Sequence, residues 1–268
     1  MRLDKYLCDM NIGSRSQVKQ YIRKGCVDVN GDIIKKPELH IDETKDIISV
    51  NGKTIAYKKN IYYMLNKPAG VVTAVKDSRD RTVMDLFDAS ISKGLFPVGR
   101  LDKDTEGLLL VMNDGELAHI LTSPTKHIDK TYYAKINGRV KNEHIELFEE
   151  GLDIGEKKLT KPAILSILKS DDISEIELTI TEGKFHQVKR MFKAIGMEVI
   201  YLERISMGKL KLDDTLMLGE YRELTAQEIA QIGGNVRLKS ARRRPDRSAA
   251  PDARAAARPR RCAAWCLP

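Results

Sequence analysis

The chain has 268 residues, enough to bury the cores of one large domain and one small one. It is 42% hydrophobic and 31% charged, which is typical of a globular rather than a disordered protein. The formal net charge is +8, but residues 237–268 contain ten basic and two acidic residues, so the rest of the chain is neutral overall. The total charge is therefore no sign that the body of the protein binds a nucleic acid.

Two classes of protein are excluded by residue patterns. No run of about 18 apolar residues could span a bilayer, and the N-terminus lacks the apolar segment of a secretory signal. We therefore expect a soluble, cytoplasmic protein without a membrane partner. The four cysteines, Cys8, Cys26, Cys262 and Cys266, have no CxxC spacing, so we expect reduced thiols and no metal site.

Two helices are predicted at the N-terminus. The first is indicated by apolar residues at helical spacing: Leu3, Tyr6, Leu7 and Met10. The second begins after the N-cap Ser14, with Gln17 completing a capping box, and ends at Gly25. Its predicted buried stripe consists of Val18, Tyr21 and Ile22.

Hairpins follow these helices, since Asn30-Gly31 and Asn51-Gly52 each come after a short alternating run. We predict a helix-helix-hairpin domain over residues 1–59, ending near Lys59. Its first 24 residues contain two acidic and six basic residues; the basic ones are Arg2, Lys5, Arg15, Lys19, Arg23 and Lys24. Such a basic surface either contacts phosphate or is a solvated face.

Three stretches of this domain resemble the alpha-L RNA-binding motif shared by ribosomal small-subunit protein four and several RNA-modifying enzymes. They are Arg2-Leu3-Asp4-Lys5-Tyr6-Leu7, Gly13-Ser14-Arg15-Ser16 and the segment from Ile22 to Gly31. The resemblance implies that the six basic residues bind RNA.

Strands and helices then alternate in an α+β pattern over residues 60–232. Strands are predicted at 61–66, 108–112, 131–136 and 175–181, and helices at 115–121, 141–150 and 185–195. There is no GxGxxG or Walker-type loop, so we expect no nucleotide cofactor. Residues 233–268 are rich in Arg, Ala and Pro, and we predict a disordered tail.

Asp102 is the candidate catalytic residue of the larger domain. It lies in a short loop directly before the apolar run Leu108–Met112, and Arg100 and Lys103 flank it. We expect these cations to keep its carboxylate ionised, which would allow it to act as a nucleophile. The alternative is that Asp102 caps or bridges local structure.

Several blocks, in order, resemble the pseudouridine synthases of the RsuA type. The blocks are Tyr63-Met64-Leu65-Asn66-Lys67-Pro68-Ala69-Gly70, Val98-Gly99-Arg100-Leu101-Asp102, Thr122-Ser123-Pro124, Lys130-Thr131-Tyr132, Glu182-Gly183-Lys184-Phe185-His186-Gln187-Val188-Lys189-Arg190-Met191-Phe192 and the segment from Gly219 to Thr225. The resemblance implies a mixed, largely antiparallel catalytic domain. It also implies that the first block is mainly structural.

The resemblance further implies roles for individual residues. Asp102 would be the catalytic carboxylate, Tyr132 would stack against the target base, and Lys189 would pair with Asp102. Arg190 is the second candidate for that pairing, and Arg100 and Arg190 would also contact RNA. We interpret His186 as structural or RNA-contacting, because the sequence places no partner carboxylate near it.

Two expectations about packing accompany these roles. Tyr132 and Tyr133 should lie on opposite faces of one strand, so one should be in the core. The buried stripe of the last helix should consist of Phe185, Val188, Met191 and Phe192.

The activity implied by the resemblance is conversion of uridine to pseudouridine in ribosomal RNA, without a metal or redox cofactor. The segments Asp104-Thr105-Glu106-Gly107 and Leu159-Thr160-Lys161-Pro162-Ala163 look most like enzymes acting on uridine 516 of 16S rRNA. The alternatives are a 23S rRNA enzyme and a non-catalytic RNA-binding factor of ribosome assembly.

Overall fold

The computed structural model describes residues 1–10, 12–55, 60–89, 91–123 and 125–232. The predicted tail, the predicted domain boundary at Lys59, and Pro124 lie outside the described residues. Among the helices of the described ranges, none is long and apolar enough to cross a membrane.

The N-terminal region contains two helices and a small antiparallel sheet. The elements are α1 (Leu3–Asp9), α2 (Arg15–Arg23), β1 (Val27–Val29), β2 (Asp32–Ile33), β3 (Ile48–Val50) and β4 (Lys53–Ile55), with strand order β2-β1-β3-β4. The predicted capping box of Ser14 and Gln17 is present. Asn30 and Asn51 have φ values of 56° and 51°, as the predicted Asn-Gly turns require.

One predicted core residue of α2 is placed differently. Val18 and Ile22 are fully buried, but the side chain of Tyr21 is 37% exposed. The apolar core that α1, α2 and the small sheet share is therefore filled without the Tyr21 ring, and the prediction that it belongs to the buried stripe is wrong.

The larger domain is built on one sheet of nine strands. They are β5 (Tyr62–Lys67), β6 (Phe96–Pro97), β7 (Glu106–Met112), β8 (Lys130–Asn137), β9 (Ile164–Lys169), β10 (Ile173–Ile180), β11 (Glu198–Met207), β12 (Leu210–Lys211) and β13 (Tyr221–Glu223). The main order is β13-β5-β7-β11-β8-β10-β9, with β6 beside β7 and β12 beside β11. Only the pair β7–β11 is parallel among these described strands, so the prediction of a mixed, largely antiparallel α+β domain is confirmed.

Helices cover this sheet. They are a 3-10 helix (Val83–Leu86), α3 (Gly115–Thr122), α4 (Asn142–Glu150) and α5 (Gln187–Ala194), and residues 226–232 are also helical. The three predicted helices correspond to α3, α4 and α5.

Strand β7 is buried on both faces. Leu108, Leu110 and Met112 belong to one apolar cluster, and Leu109 and Val111 belong to the other. Burial on both faces explains why the sequence there is a continuous apolar run rather than an alternating one. The loop that carries Asp102 leads directly into this rigid strand.

Phe185 is a second correction to the predicted core. Its ring is 69% exposed, whereas Val188, Met191 and Phe192 are buried as predicted. Helix α5 begins only at Gln187, because His186 has a left-handed backbone conformation with φ 47°. Phe185 therefore precedes the helix and does not share its buried face.

Gly107 allows β7 to approach β11. Its φ is +95°, and a Cβ at this position would overlap the backbone oxygen of Arg204 and lie 2.9 Å from the Arg204 nitrogen.

We predict that Gly107→Ala lowers the free energy of unfolding by about 3 kcal/mol, because the strain of the positive φ and the overlap with Arg204 add. Gly115→Ala is the control, since its Cβ would meet no atom within 4 Å; equal losses in urea unfolding would contradict the prediction.

Candidate active site

The backbone around Asp102 is fixed on both sides. Before it, the Thr73 hydroxyl donates to the Leu101 carbonyl oxygen at 2.8 Å and accepts from the Leu101 amide at 3.2 Å. After it, the Gly70 amide donates to the Lys103 carbonyl oxygen, and the Thr105 amide closes a turn onto the Asp102 carbonyl oxygen. The Asp102 side chain is therefore presented from a defined backbone and keeps 27% of its surface exposed.

Lys67 is buried beneath this loop. Its side chain is completely inaccessible, and its ammonium donates to the carbonyl oxygens of Thr105 (2.8 Å), Pro68 (3.0 Å) and Lys103 (3.3 Å). Burial lowers the pKa of Lys67 to about 8, against the opposing effects of Asp104, Glu106 and Asp102. The last residue of β5 thus ties the loop to the sheet, which agrees with the structural role expected for its sequence block.

The start of α5 faces Asp102. His186 Nε2 lies 3.5 Å from Asp102 Oδ1, and Lys189 Nζ lies 4.0 Å from Asp102 Oδ2. His186 directly precedes α5 and Lys189 lies in its first turn, and both side chains reach the same carboxylate. The expectation that His186 lacks a nearby carboxylate is therefore wrong.

Lys189 makes its shortest contacts with another acid. Its Nζ lies 2.5 Å and 2.6 Å from the two carboxylate oxygens of Asp104. This hydrogen bond holds the pKa of Asp104 below its usual value. The sequence predicted a Lys189–Asp102 pair, whereas the structure has a close Lys189–Asp104 pair with Asp102 at the limit of ion-pair distance.

Tyr132 forms the wall of a pocket beside Asp102. Its side chain is only 8% exposed, and the other walls are formed by Arg100, Leu101, Thr105, Ile180, His186 and Val188 among others. Tyr133 lies on the opposite face, where its hydroxyl donates to Glu175 at 2.6 Å. The expectation that β8 buries one of the two tyrosines is confirmed.

The remaining predicted cations of this domain lie in three places. Arg100 is exposed at the rim of the pocket. Lys103 pairs with Asp80 at 2.6 Å and not with Asp102. Arg190 donates to Glu156 at 2.8 Å and to the Ile154 carbonyl oxygen, so its guanidinium braces a loop rather than Asp102.

The predicted RNA-binding cations of the N-terminal region form two groups. Arg2, Lys5, Arg15 and Lys19 line one surface pocket on α1 and α2. Arg23 and Lys24 are exposed at the end of α2. Arg2 also pairs with Asp4 at 2.7 Å, whereas no ion pair of Lys5, Arg15 or Lys19 occurs within the described ranges.

Sequence reasoning missed Asp104 and underestimated Lys67 and His186. A signal existed for Lys67, because a lysine that ends an apolar strand must either reach solvent or find buried acceptors. No sequence signal placed Asp104 near Lys189, since these residues are 85 positions apart.

The depressed pKa of Lys67 makes its contribution to stability depend on pH. Between about pH 8 and 10.5 the unfolded chain keeps a proton that the folded chain loses, so stability rises with pH in this window. We predict that the free energy of unfolding of the wild type, relative to Lys67→Met, increases by about 2–3 kcal/mol from pH 7 to pH 10. Urea unfolding of both proteins at the two pH values measures this difference.

Lys103→Met is the control, because the Lys103 side chain is 52% exposed. The difference in free energy of unfolding between the wild type and Lys103→Met should change little from pH 7 to pH 10. A flat difference for Lys67→Met would show that the Lys67 ammonium does not lose its proton in this window.

Comparison with known proteins gives consistent results along the chain. Residues 61–194 match the family described as RNA pseudouridylate synthase, and residues 1–48 match the S4 domain. The chain is 47% identical over 231 residues to the uncharacterized RNA pseudouridine synthase YtzG of Bacillus subtilis, covering 85% of this chain and 97% of the relative. It is 41% identical over 234 residues to the ribosomal small subunit pseudouridine synthase A of Haemophilus influenzae, covering 87% and 99%.

A solved structure agrees with these relatives. A crystal structure of a pseudouridylate synthase superimposes with a TM-score of 0.62 at 40% sequence identity, covering 87% of this chain and 99% of that one. Identity at this level over nearly whole relatives supports both the fold and the reaction class. The chain therefore belongs to the RNA pseudouridylate synthase family and is an RNA pseudouridine synthase with an N-terminal S4 domain.

Proposed function

We propose that this cytoplasmic enzyme converts uridine 516 of 16S ribosomal RNA to pseudouridine, with Asp102, Tyr132 and Lys189 as its catalytic residues. The observation that carries the proposal is one pocket in which the Asp102 carboxylate lies beside the Tyr132 ring and faces the start of α5. The target is inferred from relatives named ribosomal small subunit pseudouridine synthase A at about 40% identity.

The reaction requires the bond from uracil N1 to the ribose to break, the detached uracil to turn, and its C5 to bond to the same ribose carbon. C5 then loses its hydrogen as a proton and N1 gains a proton, so that the product is an isomer of the substrate. The base must leave its stack to reach Asp102, and a buried aromatic wall suits a base that has lost its neighbours. Tyr132 provides that wall. Asp102 acts either as a nucleophile on the nucleotide or as a base on the ribose.

Lys189 supports this chemistry through its position between two acids. Its close pair with Asp104 fixes the ammonium, and Asp102 stays 4.0 Å away with its oxygens available to the substrate. When a bound nucleotide excludes water, the Lys189 charge becomes more effective at stabilising the Asp102 carboxylate. The rim residue Arg100 is positioned to contact the RNA backbone.

The S4 domain supplies a second RNA surface. Arg2, Lys5, Arg15 and Lys19 cluster on α1 and α2, with Arg23 and Lys24 nearby in sequence. Exposed cations that neutralise phosphates release counterions, which gives affinity without base specificity. We assign to this surface general affinity for rRNA.

We predict that Asp102→Asn lowers the rate of pseudouridine formation about 10³-fold or more while rRNA binding is kept, because the amide preserves shape and removes the carboxylate. Carbodiimide adducts and primer extension on small-subunit rRNA from a deletion strain, rescued with wild type or variant, detect the product. Asp80→Asn is the control, since Asp80 pairs with Lys103 outside the pocket.

Each outcome of this mapping has a defined meaning. Restoration of one small-subunit mark by wild type alone supports both the target and Asp102. If the deletion strain instead lacks a pseudouridine in 23S rRNA, the proposed target is wrong but the role of Asp102 can still be tested on that RNA. Full rescue by Asp102→Asn would remove Asp102 from the mechanism.

We predict that the double variant Arg15→Gln/Lys19→Gln weakens RNA binding and flattens its salt dependence. Each phosphate that the variant no longer neutralises should reduce the slope of log K against log salt by about 0.7–0.9. Filter binding between low and physiological salt measures the slope. Lys45→Gln/Lys53→Gln is the control of equal charge change in the same domain, and an equal slope change there would contradict a localised surface.

A further inference from the structure

A second recess adjoins the catalytic pocket and is not used by the proposed chemistry. Its volume is about 130 Å³, and Arg100, Tyr132 and Gly183 line both cavities. The far side of the recess is lined by two basic residues, Lys130 on β8 and Arg204 on β11. In the strand register, Tyr132 lies opposite Arg204, so the Arg204 side chain lies beside the tyrosine that borders Asp102.

Arg204 is a buried cation with incomplete hydrogen bonding. Its side chain is 2% exposed, and its Nε donates to the Leu108 carbonyl oxygen at 2.8 Å. Its Nη2 is buried and has no hydrogen-bond partner among the described residues. Leaving a charged donor unsatisfied is costly, and such a group suits a ligand that supplies an acceptor.

Lys130 adds a second cation with few partners. Its Nζ donates to the Ile128 carbonyl oxygen at 2.9 Å, and no ion pair of Lys130 occurs among the described residues. Burial lowers the pKa of Lys130 to about 8, together with a smaller effect of the nearby Arg204 charge that exceeds the opposing effect of Asp129. Two like charges are therefore held together in a region of low polarity, which an anion would relieve.

The one acidic residue lining the recess, among the described residues, is already engaged elsewhere. Glu182 Oε1 accepts from the Lys161 amide at 3.0 Å and from Gln187 Nε2 at 2.9 Å, and Lys184 Nζ lies 3.7 Å away. No hydrogen bond or ion pair joins this carboxylate to Lys130 or Arg204 within the described ranges. The recess therefore keeps a net positive character.

We propose that Lys130 and Arg204 bind a phosphodiester of the RNA next to the target uridine. A nucleotide carries its phosphates on the ribose, so a cation pair that shares a wall with the pocket for the base is placed to receive one of them. The inference rests on the proposed insertion of the uridine beside Asp102. Its role is positional, since a phosphate held in the recess beside Tyr132 fixes the ribose relative to the Asp102 carboxylate.

Equilibrium binding to substrate RNA with single neutral methylphosphonate linkages tests the contact. Asp102→Asn serves as the parent, so that no turnover occurs. We expect Lys130→Met to weaken RNA binding about tenfold. We also expect one neutral linkage beside the target uridine to weaken RNA binding by the parent by a similar factor. Because both changes remove the same contact, their combination should weaken binding no more than either alone.

Two further variants complete the design. Lys135→Met is the matched control, since Lys135 is exposed on the same strand β8, and its effects should add to those of the neutral linkage. Lys130→Arg keeps the charge and should remain sensitive to the same linkage as the parent. If Lys130→Met fails to fold, the sensitivity of Lys130→Arg and of the Asp102→Asn parent to the neutral linkage still tests the contact.

Three results would overturn the proposal. The first is that folded Lys130→Met binds the RNA as tightly as the parent. The second is that the loss of RNA affinity caused by Lys130→Met adds to the loss caused by every neutral linkage. The third is that orthophosphate competes with the RNA although no neutral linkage changes the affinity. The last would assign the recess to free phosphate. Failure of the Asp102 assignment is detected separately, as product formation by Asp102→Asn, and leaves the binding cycle interpretable.

Discussion

Burying a lysine ammonium under a catalytic loop costs free energy that only acceptors in fixed places can offset. In this protein the acceptors are backbone carbonyl oxygens, two of them in the loop just after Asp102, at Lys103 and Thr105, and one at Pro68 next to Lys67. The charge of Lys67 therefore constrains the backbone of the loop that carries Asp102. Any displacement of the loop would leave the ammonium unsatisfied, so the position of Asp102 depends on this interaction.

Asp102 and Asp104, the two acids near Lys189, make different contacts and have different roles in the proposed mechanism. Asp104 takes the close ion pair with Lys189, while Asp102 has only the longer contacts with His186 and Lys189. A carboxylate in a close pair has its lone pairs engaged and is a poor nucleophile or base. The arrangement thus keeps Lys189 near Asp102 without consuming the Asp102 oxygens. Asp104 is for this reason a positioning residue and Asp102 the reactive one in the proposed mechanism.

The sequence predicted the elements whose patterns are local. The Ser14 capping box, the Asn-Gly turns and the apolar run of β7 each depend on a few neighbouring residues, and each is present. The strand β11 was not predicted, and it contains the charged residue Arg204, whose burial at 2% exposure no sequence pattern indicates. Its place beside β7, in the only parallel pair of the described large sheet, depends on contacts between residues about a hundred positions apart.

The candidate site shows the same division. The family resemblance named Asp102, Tyr132 and Lys189. In the structure Asp102 and Tyr132 line one pocket, and the Lys189 ammonium lies 4.0 Å from the Asp102 carboxylate. The resemblance did not indicate which acid Lys189 would contact most closely, nor that His186 would face Asp102, because both facts depend on how α5 docks against the loop. The positive φ of His186 was equally hidden, and it determines both the start of α5 and the exposure of Phe185.

Two kinds of cation would bind RNA according to these proposals, and they differ in how solvent affects them. The cations on α1 and α2 are mostly exposed, so salt screens their attraction and they supply affinity that is general for phosphate. Lys130 and Arg204 are largely desolvated, so their field is screened little and acts over a short range. Exposed charge would therefore gather RNA, whereas the buried Arg204 and the half-buried Lys130 would have the fixed geometry needed to place one ribose against Asp102. The net neutrality of residues 1–236 is consistent with this arrangement, since selectivity here depends on where a few cations are buried rather than on how many there are.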